Sequence, residues 1–268
     1  MRRIMLTVAY DGTEYAGWQV QRHAETIESV LNRELSRLLN EDIRVIGASR
    51  TDSGVHAEGA VCVFDTDSGI PADKFSFAVN QSLPSDIRVM SSREVRPDFH
   101  PRRTPCLKTY RYSIWNDTFH LPSKRLYTHW VHGPLDLEKM REAADFLTGE
   151  HDFKSFCKEK PQEIRFRPDA ADEAEKSESP AVSKTGTVRR ITAIEIKKEG
   201  HQVDIFVTGN GFLYNMVRII AGTLIDAAQG RIEPSDMKEI LEAKDRSRAG
   251  VTAPAKGLCL VEYDFWEI

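Results

Sequence analysis

The stretch IRVIGASRTDSGVHAEGAVCVFD, residues 43–65, consists of two apolar, β-branched runs separated by a polar loop that is rich in glycine. The runs are typical of two neighbouring strands, and the loop brings Arg50, Asp52 and His56 within seven positions. One interpretation is an ordinary turn, because Asp, Ser and Gly are residues that turns prefer. The other is a reactive carboxylate that its basic neighbours keep ionised, as a nucleophilic aspartate requires.

The elements around this stretch predict an α+β arrangement. They include an amphipathic helix that Thr26 can cap, with leucines and other apolar residues on one stripe. The predicted elements of the first half are strand 3–10, helix 26–39, strands 43–48 and 60–65, helix 73–82 and strand 87–95. The order of strand, helix, two strands, helix and strand is that of a ferredoxin-like unit.

The second half of the chain has a similar pattern. Its predicted elements are strand 106–116, helix 136–149, a hairpin of strands 187–200 and 201–211, helices 212–230 and 234–244, and strand 257–266. A Pro- and Arg-rich connector at 96–106 divides the chain into halves 1–105 and 106–268, with no sequence repeat between them. The predicted fold class is α+β, with two ferredoxin-like halves that form a mixed, mostly antiparallel sheet flanked by helices.

The net charge of −4 is unevenly distributed along the sequence. Residues 168–180 hold five acidic residues and one lysine, so they account for −4 and leave the remainder neutral. Residues 93–111 hold six basic and two acidic residues, which makes a stripe of +4. A basic stripe on a neutral body suits contact with nucleic-acid phosphates. The polar, acidic segment 159–186 is predicted to be a mobile insertion in the second half.

The sequence contains no uncharged apolar run long enough to span a bilayer, and its first residues lack the continuous apolar segment of a signal peptide. We therefore expect a soluble, cytoplasmic protein without membrane attachment. The four cysteines are far apart and are expected to be free thiols. His129 and His132 have a spacing that could serve a metal, but no third ligand clusters with them in the sequence. We expect a structural role for both histidines and no metal site.

Two further regions hold candidate functional side chains. Arg218 lies in a predicted helix that is apolar nearly all round, so it either pairs with a carboxylate or reaches solvent beside Tyr214. In the strand at 106–116, alternation places Lys108 and Tyr110 on one face. Such a face suits the stacking of a nucleobase beside a phosphate. Cross-strand aromatic packing is the alternative explanation for the tyrosine.

Five well-separated segments resemble, in order and over nearly the whole chain, the motifs of the bacterial tRNA pseudouridine synthase A family. They are VAYDGTEYAGWQVQ (8–21), GASRTDSGVHA (47–57), KTYRYSIWN (108–116), GNGFLYNMVRIIAGTLI (209–225) and KGLCLVEYDF (256–265). The resemblance implies the pseudouridine synthase fold and the isomerisation of uridine to pseudouridine in the anticodon stem-loop of tRNA, on the 3′ side of the anticodon. It also implies a homodimer in which each tRNA contacts both subunits, and no cofactor.

The same resemblance implies roles for individual residues. Asp52 is the nucleophile, and Arg50 and Arg218 hold its carboxylate in place. Tyr110 stacks on the target uracil and relays the proton at C5, and Leu258 helps to form the apolar wall of the pocket.

The remaining candidates concern phosphate binding. His56 either contacts a phosphate or only caps its loop. Basic residues in and after the connector are candidate phosphate contacts, which would make the affinity salt-dependent: Arg102, Arg103, Lys108, Lys124 and Arg125. Two rival functions stay open from the residues alone. One is a non-catalytic RNA-binding module in which Asp52 is a turn residue, and the other is a metal-dependent phosphohydrolase that uses Asp11 and Asp52.

Overall fold

The structure is a computed structural model, and it describes residues 1–158 and 186–266. The predicted acidic insertion at 159–186 lies outside the described residues apart from Gly186. The strands are β1 (Arg2–Tyr10), β2 (Ile46–Gly47), β3 (His56–Thr66), β4 (Ile87–Val95), β5 (Cys106–Asn116), β6 (His129–Val131), β7 (Gly149–Asp152), β8 (Val188–Glu199), β9 (Gln202–Gly209) and β10 (Leu258–Phe265). The α-helices are α1 (Ile27–Leu39), α2 (Phe75–Val79), α3 (Leu137–Asp145), α4 (Met216–Ala228) and α5 (Asp236–Ala243).

All of these strands belong to one sheet with the order β4-β1-β3-β10-β5-β9-β8-β7, while β2 pairs with β3 and β6 pairs with β5. Strand pairs are antiparallel except for β10 with β3 and β5 with β6. The α+β class with a mixed, mostly antiparallel sheet is therefore confirmed.

The two halves of the chain repeat one topology although their sequences do not. The first half has the strand order β4-β1-β3-β2, and the second half has β10-β5-β9-β8. When only these four strands of each half are numbered along the chain, leaving out β6 and β7, both orders are fourth, first, third and second. This is the order of a ferredoxin-like unit. Strand β10 joins the halves because it pairs in parallel with β3, through Cys259 opposite His56 and Leu260 opposite Ala57.

Several element bounds differ from the predicted ones. The strand predicted at 43–48 is reduced to the two residues of β2, and β3 begins at His56 rather than at residue 60. Helix α4 begins at Met216 rather than at Phe212, because Asn215 has the left-handed backbone (φ 61°) that an α-helix does not contain. Strands β6 and β7 were not predicted, since three or four residues are too few to show a period.

The helices pack their apolar faces on the sheet. Helix α1 begins with a capping box in which Thr26 accepts a hydrogen bond from the Ser29 backbone, and its apolar residues from Ile27 to Leu35 are buried. Helix α4 is buried along nearly its whole length, which makes it central to the second half. The four cysteines are free, as predicted. None of the helices within residues 1–158 and 186–266 has both the length and the apolar character needed to cross a membrane.

Candidate active site

A cavity of about 560 Å³ lies between the loop that precedes β3, the start of β5 and the segment that leads into α4. Six residues that the sequence singled out line it together: Arg50, Asp52, Arg102, Lys108, Tyr110 and Leu258. These residues come from distant parts of the chain, and the pairing of β10 with both β3 and β5 brings them to one place. The cavity is therefore the candidate active site.

Asp52 forms an ion pair with Arg218 at the cavity. The Oδ2 atom of Asp52 lies 3.5 Å from Nη1 of Arg218, and the two side chains are 26% and 17% exposed. Of the two interpretations of Arg218, the structure agrees with the carboxylate partner. Partial burial strengthens the attraction between the two charges compared with a pair on the open surface. The arrangement favours an ionised Asp52 with a restricted orientation.

Arg218 is itself held by two further acceptors. Its Nε donates to the carbonyl of Ala253 at 2.7 Å, and its Nη1 donates to Oδ1 of Asn215 at 2.8 Å. The Ala253 backbone N–H donates in return to the Arg218 carbonyl at 3.1 Å. The guanidinium thus joins the start of α4, the segment before β10 and the Asp52 loop.

Tyr110 forms one wall of the cavity. Its side chain is buried, and its ring meets the ring of Phe212 edge-on, with 5.3 Å between the ring centroids. Burial, and after it the negative charge of Asp52, raise the pKa of the Tyr110 phenol well above its ordinary value. The phenol therefore stays protonated at neutral pH and can donate a hydrogen bond inside the cavity.

Two basic side chains, Lys108 and Arg102, also line the cavity. Lys108 donates from Nζ to Oγ of Ser49 at 3.0 Å, and burial lowers the pKa of its ammonium group. Arg102 donates from Nε to the Gly47 carbonyl at 2.8 Å and is largely exposed.

The Asp52 loop is hydrogen-bonded to the end of β1 and to the segment that follows β1. The Tyr10 hydroxyl and the Thr51 hydroxyl share a hydrogen bond of 2.8 Å, and the Trp18 backbone N–H donates to the Thr51 carbonyl at 3.1 Å. The Tyr15 carbonyl accepts from the Ser53 hydroxyl at 3.2 Å. These bonds fix the residues on both sides of Asp52, so the N-terminal motif has a positioning role that the sequence alone did not reveal.

Two glycines allow the backbones of these segments to touch. A Cβ on Gly12 would lie 2.0 Å from the Val55 carbonyl oxygen, and a Cβ on Gly17, which has φ +86°, would lie 2.6 Å from the Thr51 carbonyl oxygen. Any side chain at either position would have to push the Asp52 loop away.

The change Gly12→Ala is expected to lower the free energy of unfolding by about 1–3 kcal/mol, as overpacking does, and to slow turnover by about 100-fold by displacing the loop. Denaturant unfolding and single-turnover rates measure the two effects. Gly69→Ala is the matched control, because nothing lies within 4 Å of the added Cβ. Normal turnover in Gly12→Ala would show that the loop tolerates the shift.

Two predicted substrate-binding residues, His56 and Arg103, lie outside this cavity. His56 is buried, with Nδ1 accepting from the Gly12 N–H at 3.1 Å and Nε2 placed 3.1 Å from the Leu126 carbonyl. It lines a second cavity of about 310 Å³ together with Asp11. Both contacts are to residues outside the loop 47–55, so a loop cap and a phosphate contact both stay predictions for His56. Arg103 is exposed in the connector.

Asp11 and Asp52 line different cavities, so they do not form the paired carboxylates that the phosphohydrolase hypothesis requires. Within residues 1–158 and 186–266, no three His, Cys, Asp or Glu side chains group together in a way that could hold a metal ion. His129 and His132 both line a third cavity beside α4.

The chain matches the family model described as tRNA pseudouridine synthase over residues 6–102 and 173–265. These ranges include Asp52, Arg218 and Leu258, and Tyr110 lies between them. The chain is 44% identical to the tRNA pseudouridine synthase A of Ruminiclostridium cellulolyticum and 43% identical to that of Acetivibrio thermocellus, each over 98% of this chain and 99% of the relative. It is 41% identical to that of Brevibacillus brevis, over 100% of this chain and 99% of the relative.

Proposed function

Because this chain belongs to the tRNA pseudouridine synthase family, we propose that it isomerises uridine to pseudouridine in the anticodon stem-loop of tRNA, with Asp52 as the nucleophile. The target uridines lie on the 3′ side of the anticodon. The observation that supports this proposal most is the ion pair of Asp52 and Arg218, at 3.5 Å, beside the cavity that Tyr110 lines.

The reaction breaks the N1–C1′ bond of uridine, rotates the base and joins C5 to C1′. It neither adds an atom nor changes the oxidation state of the substrate. A carboxylate can start it by adding to C6 or to C1′, or by taking the proton from C2′, and each route needs an ionised oxygen next to the nucleoside. Arg218 supports that ionised state of Asp52.

The cavity suits a uracil that has left its base stack, which is the way base-modifying enzymes reach their target atoms. Tyr110 offers an aromatic face for the ring, and Leu258 offers an apolar contact. Lys108 and Arg102 are placed to contact the phosphates that flank the target nucleotide.

The change Tyr110→Phe is expected to preserve tRNA binding and to lower the single-turnover rate by about 100-fold, because it keeps the ring and removes the proton donor. Rapid-quench measurements with saturating enzyme give that rate directly. Tyr127→Phe is a suitable control, since the Tyr127 hydroxyl donates to Asp11 at 2.6 Å, in the second cavity. A rate close to that of the unmodified protein would mean that Tyr110 acts by stacking alone.

The proposed function is tested by the release of tritium from tRNA that carries uridine labelled at C5, because forming the new C–C bond expels that hydrogen. We expect release at the anticodon stem-loop without added metal. Binding of tRNA without release would favour the non-catalytic RNA-binding module. Phosphate release that a chelator stops would favour the phosphohydrolase.

The proposal includes the assembly and location that the family resemblance implies. The protein acts as a homodimer in the cytoplasm, and each tRNA contacts both subunits. Sedimentation equilibrium of the free protein and of its tRNA complex measures the stoichiometry, and a monomer that binds and modifies tRNA would contradict the dimer.

A further inference from the structure

Asn215 stands immediately before helix α4 in an unusual backbone conformation. Its φ of 61° and ψ of 8° lie in the left-handed region, where the Cβ of an L-residue approaches a carbonyl oxygen. Among the described residues, only Asn40 and Lys244 are further non-glycine residues with positive φ. Asparagine tolerates this conformation better than most residues do, so tolerance alone could explain its presence.

The side chain of Asn215 does not cap helix α4. An asparagine before a helix normally accepts a hydrogen bond from one of the first backbone N–H groups of the helix. Asn215 makes no such bond, and its Oδ1 instead accepts from Nη1 of Arg218 at 2.8 Å. The capping bond is therefore absent at a residue that lines the candidate active site.

The hydrogen bond between Asn215 and Arg218 restricts the orientation of Nη1, the Arg218 nitrogen that faces Asp52. Asn215 accepts its hydrogen bond from Nη1 of Arg218. The same nitrogen lies 3.5 Å from Oδ2 of Asp52. A guanidinium nitrogen of this kind has two N–H bonds at a fixed angle in one plane. An acceptor that fixes one N–H therefore fixes the direction of the other. The Ala253 carbonyl at Nε fixes the opposite edge of the group.

We propose that Asn215 is a positioning residue, which orients Arg218 so that one N–H of Nη1 points at the Asp52 carboxylate. The inference rests on the proposed function, because only that function gives the ion pair of Asp52 and Arg218 a role in catalysis. Asn215 acts only through Arg218, so its removal affects the rate of the chemical step and leaves the binding of tRNA unchanged.

The decisive variant is Asn215→Gly. Glycine adopts a positive φ without strain, so this change keeps the backbone and removes only the amide. We expect kcat to fall by about tenfold, KM for tRNA to stay within about twofold, and the melting temperature to stay close to that of the unmodified protein. Full activity in Asn215→Gly would overturn the proposal, and so would an increase in KM with unchanged kcat.

Two further measurements separate positioning from a general effect. Asn40→Gly is the matched control, because Asn40 has a φ of 54° at the exposed end of α1, and it should leave kcat unchanged. In an Arg218→Met background, Asn215→Gly should have no additional effect on the single-turnover rate, because the group it orients is gone. An independent tenfold loss in that background would contradict the proposal.

The tritium-release assay on the unmodified protein keeps the two proposals distinct. If that protein releases no label from tRNA, the proposed function fails. If it releases label and Asn215→Gly does so equally fast, only the role of Asn215 fails.

Discussion

Asp52→Asn is expected to lower pseudouridine formation by at least about 1,000-fold while tRNA binding stays within a few-fold of that of the unmodified protein. Asparagine has nearly the same shape as aspartate and keeps a polar group beside Arg218, so the loop should keep its place. It lacks the negative charge that each of the possible first steps requires. The loss should therefore appear in the chemical step and not in binding.

Tritium release under single-turnover conditions and filter binding to unmodified tRNA measure the two quantities for Asp52→Asn. Asp52→Ala should give the same result with a somewhat larger effect on stability, because it removes the polar group beside the Arg218 guanidinium as well as the charge. Asp42→Asn is the matched control, since the Asp42 side chain is 84% exposed. Near-normal turnover in Asp52→Ala would refute the assignment of the nucleophile.

Arg218→Met is expected to have the second largest effect, a loss of about 100-fold in the single-turnover rate. Methionine has a similar length and suits the apolar surroundings of α4, but it cannot donate to the carboxylate of Asp52. It also leaves the Ala253 carbonyl and the Asn215 amide oxygen without their donor. The free energy of unfolding should fall by about 1–3 kcal/mol, the usual cost of a buried acceptor without a partner.

Comparison of Arg218→Met with two further variants, Arg218→Lys and Arg141→Met, separates an effect on the reaction rate from an effect on stability. Arg218→Lys keeps the charge but cannot meet three acceptors in one plane, so its rate should lie between those of Arg218→Met and the unmodified protein. Arg141→Met removes an exposed ion pair with Glu138 and should change neither rate nor stability appreciably. If Arg218→Met lowers stability but the folded fraction reacts at the normal rate, Arg218 is only structural.

Much of the fold could be predicted because long strands and helices repeat their apolar positions. Strand β5 has the predicted bounds, and the ferredoxin-like order of the first half follows from the pattern of its elements. The start of α4 could not be predicted, since nothing in FLYN distinguishes a last loop residue in the left-handed region from a first helical residue. That single conformation places Phe212 and Asn215 at the cavity instead of inside a helix.

The candidate site was predictable in part. The residues alone left Arg218 with either a carboxylate partner or solvent, and only the family resemblance named Asp52, with which Arg218 forms an ion pair. His56 was harder to place, because its position depends on where β3 begins. Since His56 is the first residue of that strand, it lines the second cavity together with Cys259, its partner on β10, and lies outside the cavity of Asp52. The close approach of Gly12 and Gly17 to the Asp52 loop could not be predicted either, since it joins two backbone segments that are far apart in sequence.

The parallel pairing of β3 with β10 has a consequence for how the protein forms during translation. The paired residues are roughly 200 positions apart, so this contact closes only after the ribosome has made the residues of β10. Until then the growing polypeptide has an open edge on β3 that a chaperone or another nascent chain could occupy. A message truncated before the codon of Leu258 would yield a product with that edge still open and with no Leu258 in the cavity of Asp52.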